Sequence, residues 1–339
     1  MKPKVLEMTL PQLREAVEAL GETPYRADQL ADWVYRKSVT GAATMSNLPK
    51  GFVEKFEILS SRVLERRDSR DGTVKLLLEL ADGERIETVL IPAGLRATAC
   101  LSAQAGCAMG CAFCATGIDG LRRNLTSAEI LEQVLHLRQT TGRRLTNVVF
   151  MGMGEPLANY DATVAAIRSL VDPERFGISA RRVTVSTLGL PAQIRRLAGE
   201  GLPITLAISL HAPTDALRKR LIPAAARTTI AKILDAAQTF YRSRNREITL
   251  EYVLLAGVND TKECAEALAD VAHSLRCSVN LIRYNPVESL PYDRPSGADA
   301  KAFADRLARR GVNVHVRRSR GLDVTAACGQ LRRSASGHA

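Results

Sequence analysis

In the stretch "AGCAMGCAFCATG", Cys107, Cys111 and Cys114 stand four and three residues apart, with Gly106 and Gly110 loosening the backbone. Thiolates are soft metal ligands, and a loop this short can wrap them around one inorganic cluster. Four-iron clusters in ordinary electron carriers take four cysteines, so three would leave one iron open to a small molecule. A fourth cysteine, Cys100, lies seven residues upstream of Cys107. The competing chemistry is a single zinc ion on Cys100, Cys107, Cys111 and Cys114. Zinc sites usually pair two C-x2-C units, and Cys100-x6-Cys107 is not such a unit, so the spacing favours the cluster. Of the remaining cysteines, Cys264 and Cys277 read as buried small residues. Cys328 stands apart in "AACGQL" near the C-terminus.

Those side chains need a scaffold. Apolar runs near 97–101, 147–151, 182–186, 204–209, 248–254 and 279–283 read as strands. Helical patterns separate them near 127–140, 160–170, 191–199, 228–241 and 261–275, the first opening on a capping-box pair, Thr126 and Glu129. Six strand-then-helix units predict an α/β fold whose parallel sheet curves into a partial barrel, short of a closed eight-unit one. A last helix (297–310) and strand (312–317) follow.

Residues 9–60 read as helical: Thr9 caps "LPQLREAVEALG", and "RADQLADWVYRK" sets Leu30, Trp33 and Val34 on one face. "VKLLLEL" and "ERIETVLI", joined across Ala81-Asp82-Gly83, read as a hairpin. The expected organisation is a helical accessory domain at 1–60, for which the family resemblance given below implies RNA binding, a β-hairpin extension at 61–95, the partial barrel at 96–320 and a C-terminal segment at 321–339. That segment ends in a Ser-, Gly- and Ala-rich tail.

With 46% hydrophobic residues the chain can bury a real core, and its formal net charge is +11. The surplus recurs as doublets such as Arg122-Arg123, Arg143-Arg144, Arg195-Arg196 and Arg309-Arg310, a basic surface suited to nucleic acid more than to membrane. No apolar signal core opens the chain and no run approaches a membrane span, so a cytoplasmic protein with reduced cysteines is expected.

Cys107-x3-Cys111-x2-Cys114 with Phe113 before the last cysteine resembles the signature of the radical S-adenosylmethionine superfamily. Together, "VVFMGMGEPLANY", "VTVSTLGL", "LAISLHAP", "YNPVE", "GLDVTAACGQL" and the start "PYRADQLADWVY" resemble the RlmN/Cfr family of radical adenosylmethionine RNA methyltransferases over nearly the whole chain. The resemblance implies one 4Fe-4S cluster on Cys107, Cys111 and Cys114, and two adenosylmethionines per turnover. It implies an adenosylmethionine pocket of Gly154, Glu155, Ser186, Ser209, Leu210, His211 and Asn285, at or just after strand ends. Alone, His211 would read as a core or loop histidine and Ser186 as a strand-end cap.

By the same resemblance, Cys328 is methylated first. Its methyl group, converted to a carbon radical, adds to carbon 2 of an adenine in 23S rRNA, with tRNA as a second substrate. Cys100 then resolves the protein–RNA bond by a transient disulfide with Cys328. Glu87 matches the family's proton acceptor, although a hairpin glutamate ordinarily faces solvent. A one-electron donor such as flavodoxin is implied as partner. The full N-terminal module and "RRSRG" before Asp323 resemble the carbon-2 branch; the alternative is methylation of carbon 8 of the same adenine. From another class, the alternative is a non-catalytic zinc-containing RNA-binding protein. An adenine in folded RNA must be unstacked before carbon 2 can enter a barrel.

Overall fold

The structure, a computed structural model, describes residues 2–332. Its strands are β1 (Arg62–Asp68), β2 (Val74–Glu79), β3 (Arg85–Ala93), β4 (Arg96–Cys100), β5 (Gln104–Gly106), β6 (Leu121–Asn124), β7 (Asn147–Phe150), β8 (Val183–Thr187), β9 (Thr205–Ser209), β10 (Ile248–Leu254), β11 (Cys277–Arg283) and β12 (Val314–Arg317). All but β5 and β6 form one ten-stranded sheet in the order β1-β2-β3-β4-β7-β8-β9-β10-β11-β12. From β4 to β12 every neighbouring pair is parallel. That is the expected run of six strands, with the last predicted strand added as a seventh.

The helices are α1 (Leu10–Ala19), α2 (Tyr25–Ala31), α3 (Ser127–Thr141), α4 (Tyr160–Val171), α5 (Pro191–Gly199), α6 (Asp215–Leu221), α7 (Ile230–Arg244), α8 (Lys262–His273) and α9 (Gly297–Arg309). Thr9 and Thr126 both close the capping boxes that satisfy the first turns of α1 and α3. Helices cover the parallel strands, so Val148, Val185, Leu206, Ile208, Leu250 and Leu281 are fully buried. Strands buried in this way read as continuous apolar runs, which is why they stood out in the sequence.

The hairpin is continuous with the barrel. β3 pairs antiparallel with β2 on one side and β4 on the other, turning into β4 at Gly94-Leu95. β1, which no sequence pattern announced, adds an outer edge. Its residues, "RVLERRD", are charged because an edge strand faces water and must not recruit another chain.

The helical module docks on α3, which is buried continuously from Ala128 to Leu137. Glu132 accepts hydrogen bonds from the backbone N–H groups of Ser60 and Ser61 at 2.9 and 2.8 Å. Arg138 donates to the Tyr35 and Arg36 carbonyls, both at 2.6 Å. The Ser-, Gly- and Ala-rich end lies outside the described residues.

Candidate active site

The cysteine loop is pinched shut at its base. β5 and β6 pair antiparallel, and the Cys107 N–H donates to the Gly120 carbonyl at 3.1 Å. Gly106 has φ 82°, and a Cβ there would fall 2.0 Å from that carbonyl oxygen, so only glycine fits. α6 braces the middle, Leu221 O accepting from the Ala112 N–H at 2.9 Å. Burial pushes the Cys107 thiol up to about 12 and Cys111 well above its ordinary value, and the neighbouring thiols add to both shifts. Thiols this crowded stay protonated unless positive charge arrives.

One such charge is already present. Arg218, on α6, is 1% exposed and donates from Nε to the Leu210 carbonyl at 3.2 Å and from Nη2 to the Leu188 carbonyl. Its Nη1 has no hydrogen-bond partner among the described residues, and its charge acts on Cys111 and Glu155. A buried guanidinium that makes no ion pair among the described residues, beside Cys111, fits an anionic thiolate-bound cluster. Among the described residues no three His, Cys, Asp or Glu side chains converge to hold one metal ion.

Next to the loop, the strand ends open a cavity of about 910 Å³ of empty space, counting its open mouth. Cys107, Cys111, Cys114, Gly154, Glu155, Ser186, Ser209, His211 and Cys328 all line it. Gly154 (φ 95°) passes so close to Gln104 that a Cβ would sit 2.5 Å from the Gln104 Cβ. Glu155 ties two strand ends together: Oε1 accepts from the Leu157 N–H at 3.0 Å and Oε2 from the Leu188 N–H at 2.7 Å. Burial raises its pKa, and these N–H groups offset part of the rise. Each carboxylate oxygen keeps acceptor capacity for a ligand's ammonium group.

Ser186 and Ser209 bond to each other, Oγ to Oγ, at 3.0 Å. His211 adopts a left-handed backbone (φ 58°) and packs edge-on to Phe113, ring centroids 5.0 Å apart. Its Nδ1 accepts from the Val253 N–H at 3.1 Å, so the ring proton sits on Nε2. Burial, then the charge of Arg218, presses its pKa to about 3. Leu210 lies behind the wall, fully buried.

Cys328 reaches the cavity on a strap of chain, residues 319–332. Asn285 Nδ2 donates to the Cys328 carbonyl at 3.0 Å, and Asn285 Oδ1 accepts from Ser319 Oγ (2.7 Å) and Arg294 Nη1 (2.8 Å). The Ala115 N–H donates to Gly329 O at 2.7 Å and Thr116 Oγ1 to Leu331 O at 2.7 Å, fastening the strap to the cysteine loop. Cys328 is solvent-exposed through the cavity yet surrounded by protein, and burial raises its thiol pKa while Arg317 offsets part of the rise. Cys100, at the end of β4, is buried and does not line the cavity. Burial raises its pKa to about 12, and the thiol that acts on it is Cys328.

Glu87 overturns the solvent-facing expectation for a hairpin glutamate. It is 5% exposed, pairs with Lys75 Nζ at 2.7 Å, and accepts from the Arg332 N–H at 2.8 Å. Lys75 also donates to Thr325 Oγ1 at 3.0 Å, so the buried pair holds the strap from the hairpin side. Burial raises the Glu87 pKa, and Lys75 offsets part of that. Sequence reasoning missed Lys75, Arg218, Arg317 and Glu251. Only Glu251 left a trace, as the lone charge in the strand "ITLEYVL"; it lines the cavity, and its Oε2 has no hydrogen-bond partner among the described residues. Cys264 and Cys277, expected buried, are half-buried.

Residues 4–60 match the profile of the ribosomal RNA large subunit methyltransferase N-terminal domain, and residues 101–271 that of the radical SAM superfamily. A probable dual-specificity RNA methyltransferase RlmN from Thermosynechococcus vestitus is 47% identical over 95% of this chain and 96% of its own. Its counterpart from Gloeobacter violaceus is 46% identical over 100% and 98%. The chain belongs to the RlmN family of radical SAM methyltransferases.

A crystal structure of a radical SAM methyltransferase from Sphaerobacter thermophilus superposes on this RlmN-type chain with a TM-score of 0.94, at 42% identity, covering 98% of this chain and 100% of that one. The partial barrel and the helical start are thus shared with that structure. Membership implies RNA as substrate and a 4Fe-4S cluster with adenosylmethionine as cofactors, which the thiol-lined cavity beside Arg218 suits. Among the described residues no helix is long and apolar enough to cross a membrane.

Proposed function

We propose that this chain methylates carbon 2 of an adenine in 23S rRNA, with tRNA as a second substrate, through a methyl group carried on Cys328. The observation that carries the reading is that Cys328 lines the same cavity as Cys107, Cys111 and Cys114, while the thiol acting on Cys100 is Cys328. Adenine carbon 2 is electron-poor and cannot attack a methyl sulfonium, so a radical route is required. When bound, the cluster and adenosylmethionine supply that one-electron chemistry.

The protein's own residues do the rest. Cys107, Cys111 and Cys114 hold the cluster, with Arg218 balancing its charge. Glu155, the Ser186–Ser209 pair, and the neutral His211 with its proton on Nε2 form the wall for adenosylmethionine. Leu210 stands behind this wall, its carbonyl accepting from Arg218 Nε. Cys328 presents the methyl carbon and becomes bonded through it to the adenine, a covalent intermediate. After the carbon-2 proton is lost, the Cys100 sulfur bonds to the Cys328 sulfur as the carbon–sulfur bond breaks; a proton completes the methyl group on the released RNA, and the one electron left from the radical passes to the one-electron carrier. Glu87, kept buried beside Arg332 on the strap, is the proton acceptor, acting in relay with Cys100. A small one-electron donor such as flavodoxin serves the cluster, and the reaction takes place in the cytoplasm.

Mass spectrometry of nucleosides from RNA treated with the reconstituted enzyme tests the reading. It expects 2-methyladenosine; 8-methyladenosine would move the chain to the carbon-8 branch.

A further inference from the structure

The barrel has a second concave surface at the end away from Cys328. The loops that lead into β7 and β8, at the N-terminal ends of the parallel strands, meet residues 35–38 of the helical module there. The concavity is lined by Arg36, Lys37, Arg138, Arg143, Arg144 and Arg175, and no aspartate or glutamate is among its described lining residues.

The charges differ in how they are held. Arg138 gives its Nη1 and Nη2 to two backbone carbonyls, and burial followed by the charge of Arg144 lowers its pKa. Arg175, 7% exposed, donates to the Leu6 carbonyl at 2.9 Å and the Tyr35 hydroxyl at 2.8 Å; its Nε has no hydrogen-bond partner among the described residues. Neither guanidinium meets a carboxylate among the described residues. Lys37 pairs with Asp32 at 2.9 Å, whereas Arg36, Arg143 and Arg144 are exposed and make no ion pair among the described residues. Two fixed guanidiniums form the floor and four exposed cations the rim.

Five of the six cations, all but Lys37, make no ion pair among the described residues, and such a gathering raises the free energy of the folded chain unless an anion joins it. The site is concave, which suits a polyphosphate strand more than a flat lipid surface. We propose that this groove holds backbone phosphates of the RNA substrate at a point remote from the reacting adenine. The proposal rests on the chain's acting on RNA. β7 and β8 have four and five residues, so at about 3.3 Å per residue the two ends of the sheet stand roughly 15 Å apart before loops are counted. An RNA engaging both must run along the flank of the barrel. A folded tRNA or a large rRNA fragment can do so; a short stem–loop inserted at the mouth cannot.

The test compares wild type with the double variant Arg143→Gln/Arg144→Gln. Binding of a folded tRNA transcript and of a short stem–loop with an unpaired adenine is measured across a salt series. For the folded tRNA the variant should bind more weakly, and the slope of log K against log salt should become shallower by roughly 0.7–0.9 for each phosphate no longer neutralised. The stem–loop should keep the wild-type slope. An unchanged slope with folded tRNA, or equal weakening on both RNAs, would overturn the groove. So would weakening confined to binding of anionic phosphatidylserine vesicles. Wild-type protein that binds neither RNA would overturn the RNA reading itself, an outcome distinct from the others.

Discussion

Asn285 holds Cys328 by the main chain, its Nδ2 donating to the Cys328 carbonyl at 3.0 Å across 43 residues of sequence. The same side chain accepts from Arg294 and Ser319, so one buried amide fastens the strap to the loop after β11. Asn285→Ala should free Cys328 without emptying the cysteine loop. The expected outcome is adenosylmethionine cleavage retained, RNA methylation reduced at least tenfold, and faster alkylation of Cys328 by iodoacetamide. If cleavage disappears along with methylation, Asn285 serves the adenosylmethionine pocket instead.

Lys75 and Glu87 form a buried pair, and breaking such a pair from one side costs roughly 3–5 kcal/mol. Lys75→Met leaves a buried carboxylate whose pKa burial already raises. A raised folded-state carboxyl pKa gives stability that is present below the unfolded value and lost as pH rises through the folded one. Thermal unfolding of Lys75→Met should therefore worsen from acid towards neutral pH. Adding Glu87→Gln removes the charge and should recover much of the loss. No recovery in the double variant would show that Lys75 stabilises through packing.

His211 and His136 are both held neutral, pressed by burial to about 3 and about 4. A depressed histidine gives stability that is present above the unfolded pKa of about 6.5 and lost as pH falls below it. Each should cost about 1.4 kcal/mol per pH unit in that window. Urea unfolding between about pH 6 and pH 5 reads the slope, and His136→Gln should remove close to half of the two-histidine contribution. An unaltered slope would mean His136 protonates in the folded state.

Arg218→Gln removes the buried charge beside Cys111. With the cluster reconstituted, its midpoint potential by redox titration should become more negative, because one cation fewer stabilises the added electron. An unmoved potential would limit Arg218 to bracing Leu188 and Leu210.

Much of the barrel was legible because its signals are local. Apolar runs marked the parallel strands, and Thr9 and Thr126 marked helix starts within a residue. Cysteine spacing separated Cys107, Cys111 and Cys114 from Cys100. β1 escaped because its edge position demands charge, the opposite of a strand signal. Lys75–Glu87 and Asn285–Cys328 escaped for another reason: their surroundings are completed by a strap arriving from the far end of the chain. Likewise nothing within α6 marks Arg218, rather than Lys219 or Arg220, as its buried cation until the ends of β8 and β9 close over it.

The division of the cysteines into three for a cluster and two for transfer is tested most directly on Cys100→Ala, purified without oxygen and supplied with adenosylmethionine, reductant and RNA. The prediction is wild-type iron and sulfide content, together with protein covalently joined to RNA through Cys328. Loss of iron and sulfide from Cys100→Ala would contradict it and make Cys100 a metal ligand.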